Sequence, residues 1–93
     1  MSHDPASLLD ALGRIPAGTT VIIETHTDSY PTGTAFLSVT KDRGSRMEYI
    51  HGKGWGCADS LEATLAQAIN TAVDELAVAV SAADAAHTPT SEV

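Results

Sequence analysis

Aromatic residues, cysteine and positive charge are all scarce in this chain of 93 residues. The aromatics are Tyr30, Phe36, Tyr49 and Trp55, so the core has to be built from smaller side chains, and modest stability is expected. The lone Cys57 excludes an internal disulfide and fits a reducing compartment. Five Lys and Arg face twelve Asp and Glu, a formal net charge of −7. General nucleic-acid binding works by cations displacing counterions from phosphates, so this balance argues against it. The longest apolar-rich stretch is broken by Gln67, Asn70, Asp74 and Glu75, which excludes a membrane-spanning helix. The opening Met-Ser-His-Asp-Pro has neither a basic segment nor an apolar core, so no signal peptide is expected and the cytoplasm is the expected location.

What remains is enough for one domain, because a chain this long buries only about 60–65% of its unfolded surface. Asp4-Pro5 is a helix opening, with Leu8, Leu9 and Leu12 on one face and Gly13 as the stop, which predicts a short helix over 5–12. The β-branched run Thr20 to Thr27 reads as a strand. Tyr30-Pro31-Thr32-Gly33 reads as a turn, and Thr34 to Thr40 as a second strand. Asp42-Arg43-Gly44 turns the chain again, and Arg46 to His51 gives a third strand. His51-Gly52-Lys53-Gly54-Trp55-Gly56-Cys57 reads as a glycine-rich loop. Asp59 or Ser60 then caps a long helix, with Glu62 completing a capping box if Asp59 is the cap. Leu61, Leu65, Ala68 or Ile69, Ala72, Val73, Leu76 and Val80 form its apolar stripe. The domain is expected to end near Ser81, leaving 82–93 as a disordered tail. The predicted fold is α+β: a short helix, a three-stranded antiparallel meander and a long helix, with both helices on one face.

Catalytic and metal chemistry find little support in the spacing. His26, His51, Asp28 and Cys57 are ligand types, but no pair has a ligand spacing, so no metal or cofactor is expected. Cys57 near His51 at a helix start could form a thiolate–imidazole pair, although Asp59 would oppose the thiolate. Gly52-x-Gly54-x-Gly56 with Lys53 has the outline of an anion cradle but matches neither the P-loop nor the dinucleotide fingerprint. A flexible connection from strand to helix is the expected reading. A small-ligand binder or enzyme at this loop stays as an alternative.

Association carries the stronger signals. With Ala35, Leu37 and Val39 facing the helices, Phe36 faces away with Ile22 and Ile50, on a sheet face that calls for cover. Trp55 either anchors an interface or folds back beneath the long helix. Lys41, Arg43, Arg46 and Lys53 cluster between the second strand and the glycine loop, as a solvated hairpin turn or as a patch for an anionic partner. Asp59, Glu62, Asp74 and Glu75 would carry the charge of a nucleic-acid mimic, and such binding weakens steeply with salt.

The helix–strand–strand–strand–helix order resembles that of double-stranded RNA-binding domains. Those domains bridge phosphates with lysines at the start of the second helix, and the long helix here has no Lys or Arg, so the activity is not expected. The segment Asp59-Ser60-Leu61-Glu62-Ala63-Thr64-Leu65-Ala66-Gln67-Ala68 after a glycine–cysteine loop resembles the strand-to-helix half of HicB-type antitoxins, over about a third of the chain. Small proteins of phages share the pattern. The resemblance implies binding and neutralising a protein toxin. The expected function is a small acidic non-enzymatic interaction module, a regulator or inhibitor acting on a protein partner or on itself as a homodimer. A nucleic-acid mimic that inhibits a host protein and a phage structural or assembly subunit are the alternatives.

Overall fold

The computed structural model describes residues 7–87. Helix α1 (Leu8–Gly13) is followed by strands β1 (Thr20–His26), β2 (Thr32–Asp42) and β3 (Met47–Cys57), then by helix α2 (Leu61–His87). The strands form one antiparallel sheet in the order β1-β2-β3, and α2 packs on β3 and β2. This is the α-β-β-β-α order predicted from the sequence.

Ser7 starts α1, its hydroxyl accepting from the Asp10 amide at 3.2 Å, as an N-cap should. The cap assigned to Asp4 lies outside the described residues. In α1 the buried residue is Ala11, while Leu9 is 79% and Leu12 43% exposed. Of the expected leucine face only Leu8 packs against the core, together with Ala11 and Ile15; the small Ala11 lets α1 approach α2 closely. Arg14, at the end of α1, donates to Asn70 at 2.7 Å and to Asp74 at 2.6 Å. The Leu8 amide donates to Glu62. Glu62, Ala66, Asn70 and Asp74 recur every fourth residue, so one row of α2 faces α1.

The hairpins differ from the sequence reading in where they turn. Thr32 and Gly33 belong to β2, opposite His26 and Thr25, so the first turn is made by residues 27–31. The second turn is at Arg43–Arg46: the Arg43 amide bonds to the Arg46 carbonyl at 2.9 Å, and Gly44 takes a φ of 90° that other residues adopt only at a cost.

The largest correction concerns the glycines. Residues 52–57 are not a loop but the second half of β3, in continuous register with β2 from Asp42↔Met47 to Thr32↔Cys57. Gly52, Gly54 and Gly56 are buried and alternate with exposed His51, Lys53 and Trp55. A Cβ on Gly52 would lie 2.5 Å from the Leu76 nitrogen and 2.6 Å from the Ala72 oxygen. One on Gly54 would meet the Ala68 oxygen and Ala72 nitrogen, and one on Gly56 the Thr64 oxygen and Ala68 nitrogen. The α2 backbone thus lies directly on β3, running antiparallel to it. Two strand residues advance about 6.6 Å and four helix residues about 6 Å, so a glycine every second position matches Thr64, Ala68, Ala72 and Leu76 at every fourth. Glycine weakens a strand; here it is the condition for the close approach.

Ser60 caps α2, its Oγ accepting from the Ala63 amide at 3.1 Å. With Ser60 in that place, Glu62 forms no capping box. The helix continues past Ser81 to His87, so residues 82–87 are helical and not the expected tail; residues 88–93 lie outside the described part. The core joins Ala35, Leu37 and Ile50 of the sheet to Ala68, Ile69, Ala72, Val73 and Leu76 of α2. Ile50 pairs with Val39 and is 6% exposed. It faces α2 and not, as expected, the open side. Thr64 is fully buried, accepting from the Ala58 amide at 3.0 Å with its hydroxyl toward the Ala58 and Pro31 carbonyls. It ties the first turn, the end of β3 and α2 together. No helix among the described residues is long and apolar enough to cross a membrane.

The open sheet face as a candidate functional site

Residues opposite one another in an antiparallel pair point to the same side of the sheet, so the register defines the face turned away from α2. One row crosses all three strands as Ile22, Phe36 and Lys53; the next runs Glu24, Thr34 and Trp55; a third runs Thr20, Ser38 and His51. Tyr49, opposite Thr40, and Met47, opposite Asp42, extend it along β3. Ile22 is 57% exposed, Trp55 58%, Tyr49 67% and Met47 51%. Phe36, on the central strand, is half-buried, with the Lys53 ammonium 5.7 Å above its ring, a cation–π arrangement. The charged side chains on this face are Lys53, Glu24 and Asp42, so it is nearly balanced while the molecule as a whole is acidic. Trp55 stands on a strand, outward, and contributes nothing to the layer beneath α2.

The acidic residues of the long-helix region have a different setting. Asp74 forms an ion pair with Arg14 at 2.6 Å, Glu62 accepts from the Leu8 amide, and Asp59 accepts from the Tyr30 hydroxyl at 3.1 Å. That bond raises the Tyr30 pKa above its ordinary value, with the Asp59 charge adding to it, because both favour the neutral phenol. Glu75 is exposed. The basic cluster is divided in the same way. Arg43 binds Glu48 at 2.8 Å and Asp84 at 2.9 Å, on the helix side, and its pKa is raised first by the hydrogen bond to Asp84. Arg46 is exposed in the turn, separated in role from Arg43.

The proposed chemical pairs do not assemble. His51 and Cys57 lie six residues apart on one strand, roughly 20 Å, too far for a thiolate–imidazole pair. His26 and His51 lie on the two outer strands and six positions apart along the sheet, since His26 opposes Thr32 while His51 opposes Ser38. Among the described residues no group of three or more His, Cys, Asp or Glu is placed to hold a metal ion. The Gly52–Gly56 segment has its backbone in the β2 ladder and α2 across its glycines, so it forms no anion cradle. A groove of about 620 Å³ lies elsewhere, between Pro16–Gly18, Val39–Lys41 and the α2 residues Val73, Leu76 and Val80.

Sequence reasoning placed Ile22 and Phe36 on the open face but missed that Tyr49 and Met47 join them. The signal was the alternation Met47, Tyr49, His51, Lys53, Trp55 against Ile50, Gly52, Gly54, Gly56, which has the period of a strand. No family model matches the chain, and no curated protein or solved structure is found to be similar to it.

Proposed function

We propose that the protein is a non-enzymatic interaction module that binds a protein partner through the open sheet face, as a regulator or inhibitor working in the cytoplasm. The observation that carries this reading is the exposure of Ile22 and Trp55 beside Phe36, with Tyr49 and Met47 farther along β3, on one face that neither helix covers. Large apolar side chains exposed on one face mark interaction sites on small proteins, and Trp and Tyr are enriched among the residues that dominate binding. An antitoxin-like role, neutralising a partner protein, is the particular form that the HicB resemblance favours.

The nucleic-acid mimic has less behind it. Asp59, Glu62 and Asp74 are engaged within the molecule, whereas a mimic needs its carboxylates free to face cations.

The test is partner capture from host-cell lysate with wild type, Trp55→Glu and Phe36→Glu, at low and high salt. Trp55→Glu is expected to keep the far-UV circular dichroism and weaken binding by about 30-fold or more, the scale of a hot-spot residue. The wild-type complex should survive high salt. Capture that is unchanged by both substitutions, or that salt abolishes, would overturn the proposal.

A further inference from the structure

Among the described residues nothing pairs with the outer edge of β1. All seven residues of the strand are exposed, and α2, lying over β3 and β2, leaves its helix-side residues Val21 and Ile23 each 37% exposed. We propose that this edge pairs with the same edge of a second copy of the chain, antiparallel about a two-fold axis at Ile23, so that two three-stranded sheets join into one of six.

Three features point to a second copy. The first is the absence of the usual protection. Edge strands are kept from pairing by proline, charged side chains (lysine above all), bulges or shortness. Thr20–His26 has no Pro, Lys or Arg, Glu24 is its single charge, and its register with β2 runs unbroken over seven pairs. Five of its residues, Thr20, Val21, Ile22, Ile23 and Thr25, are β-branched, the type that suits strand pairing best. The other sheet edge, β3, carries Gly52, Gly54 and Gly56 instead.

The second feature is self-complementarity. A two-fold axis normal to the sheet pairs residues whose numbers have a constant even sum. Centred on Ile23, it sets Thr20 against His26, Val21 against Thr25, Ile22 against Glu24 and Ile23 against its own copy. All seven residues pair and no like charges are opposed. Centring on Glu24 opposes two carboxylates, which destabilises a pair; centring on Ile22 pairs only residues 20–24.

The third feature is what the pairing covers. On the helix side, Val21 and Ile23 of both copies become one apolar row along the floor between the two α2 helices. The half-exposed residues that this chain's own helix does not reach are thus matched by identical ones. A contact limited to one seven-residue strand from each copy is small beside a standard interface of roughly 1,600 Å², so the dimer is weak and depends on concentration. Each copy carries −7, so salt screens their repulsion and tightens the dimer.

Analytical ultracentrifugation of the full chain from about 1 µM to 1 mM is expected to show a monomer–dimer equilibrium that shifts toward dimer with concentration and salt. Ile23→Lys sets two ammonium groups face to face on the axis and should return a folded monomer. The register is read independently in a Cys57→Ser background. Ile23→Cys should cross-link to a covalent dimer on mild oxidation. Val21→Cys should not, because the two copies of residue 21 stand four strand positions apart, about 13 Å, beyond the roughly 7 Å reach of a disulfide. Trp55→Glu and Phe36→Glu, on the open face, should leave this dimer unchanged, so the two proposals fail separately. A monomer at every concentration, a dimer that survives Ile23→Lys, or equal cross-linking of the two cysteine variants would each overturn the inference. A monomer whose β1 edge is instead covered by a foreign strand would do so as well.

Discussion

Replacing Gly54 by alanine adds one methyl group, and the structure puts that methyl into main-chain atoms. Its Cβ would meet the Ala68 oxygen and Ala72 nitrogen, neither of which can rotate away. The neighbouring Gly52 gives the scale: its Cβ would stand 2.5–2.7 Å from Leu76 and Ala72 backbone atoms, against an ordinary separation of about 3.5 Å. The helix must therefore rise by about 1 Å. Because α2 is one continuous helix over 27 residues, that rise opens the contacts of Ile69, Val73 and Leu76 with the sheet too. A gap of about 0.5–1 Å forfeits a quarter to a half of each dispersion contact. Overpacking costs about 1–3 kcal/mol in most cores, and more in some; with backbone as the obstacle, Gly54→Ala should cost about 3 kcal/mol or more. For a chain of this length the whole stability is about 5–14 kcal/mol. Urea unfolding followed by far-UV circular dichroism measures the loss. Gly13→Ala is the control, since nothing lies within 4 Å of its Cβ position; it should be neutral or stabilise by up to about 1 kcal/mol. A Gly54→Ala variant within about 0.5 kcal/mol of wild type, or two alanine variants equally destabilised, would refute the reasoning.

Two further predictions follow from hydrogen bonds at the start of α2. Thr64→Val keeps the shape of a fully buried side chain but strips the Ala58 amide of its acceptor, so it should cost about 1–3 kcal/mol in the same urea assay. Tyr30, whose pKa is raised by its bond to Asp59, should ionise at higher pH than it does in Asp59→Asn, as read from phenolate absorbance. The sign follows from the neutral phenol being the bonded form. The bond's contribution is complete below the ordinary tyrosine pKa of 10.0 and is lost as pH rises through the raised folded value. A Tyr30 titration that Asp59→Asn does not lower would contradict the bond.

The sequence carried the element order well because its signals were local and unopposed: the β-branched run of β1, the glycine in the second turn, and the serine before a helical stripe. It misled where a tertiary contact outweighed propensity. Glycine is depleted in strands, so Gly52, Gly54 and Gly56 read as a loop, and only the matching of their spacing to Thr64, Ala68 and Ala72 on α2 makes them a strand. That one error also hid the setting of Trp55, which a loop leaves undetermined and a strand turns outward. Leu9 and Leu12 misled in the opposite sense. They mark a hydrophobic face on α1, but Ala11 is the residue small enough to allow the close contact with α2. Ile22 and Phe36 were legible because alternation assigns faces once a single inward residue is known.

The row of glycines also separates two duties that strands usually combine. From Gly52 to Gly56 every inward position of β3 is occupied by a hydrogen in place of a side chain, so packing fixes those positions and leaves their neighbours unconstrained. His51, Lys53 and Trp55 can then be exchanged almost freely without disturbing the core. The same segment is a ready place for a randomised library, in which new specificities are selected on β3 while the glycines and α2 hold the scaffold constant.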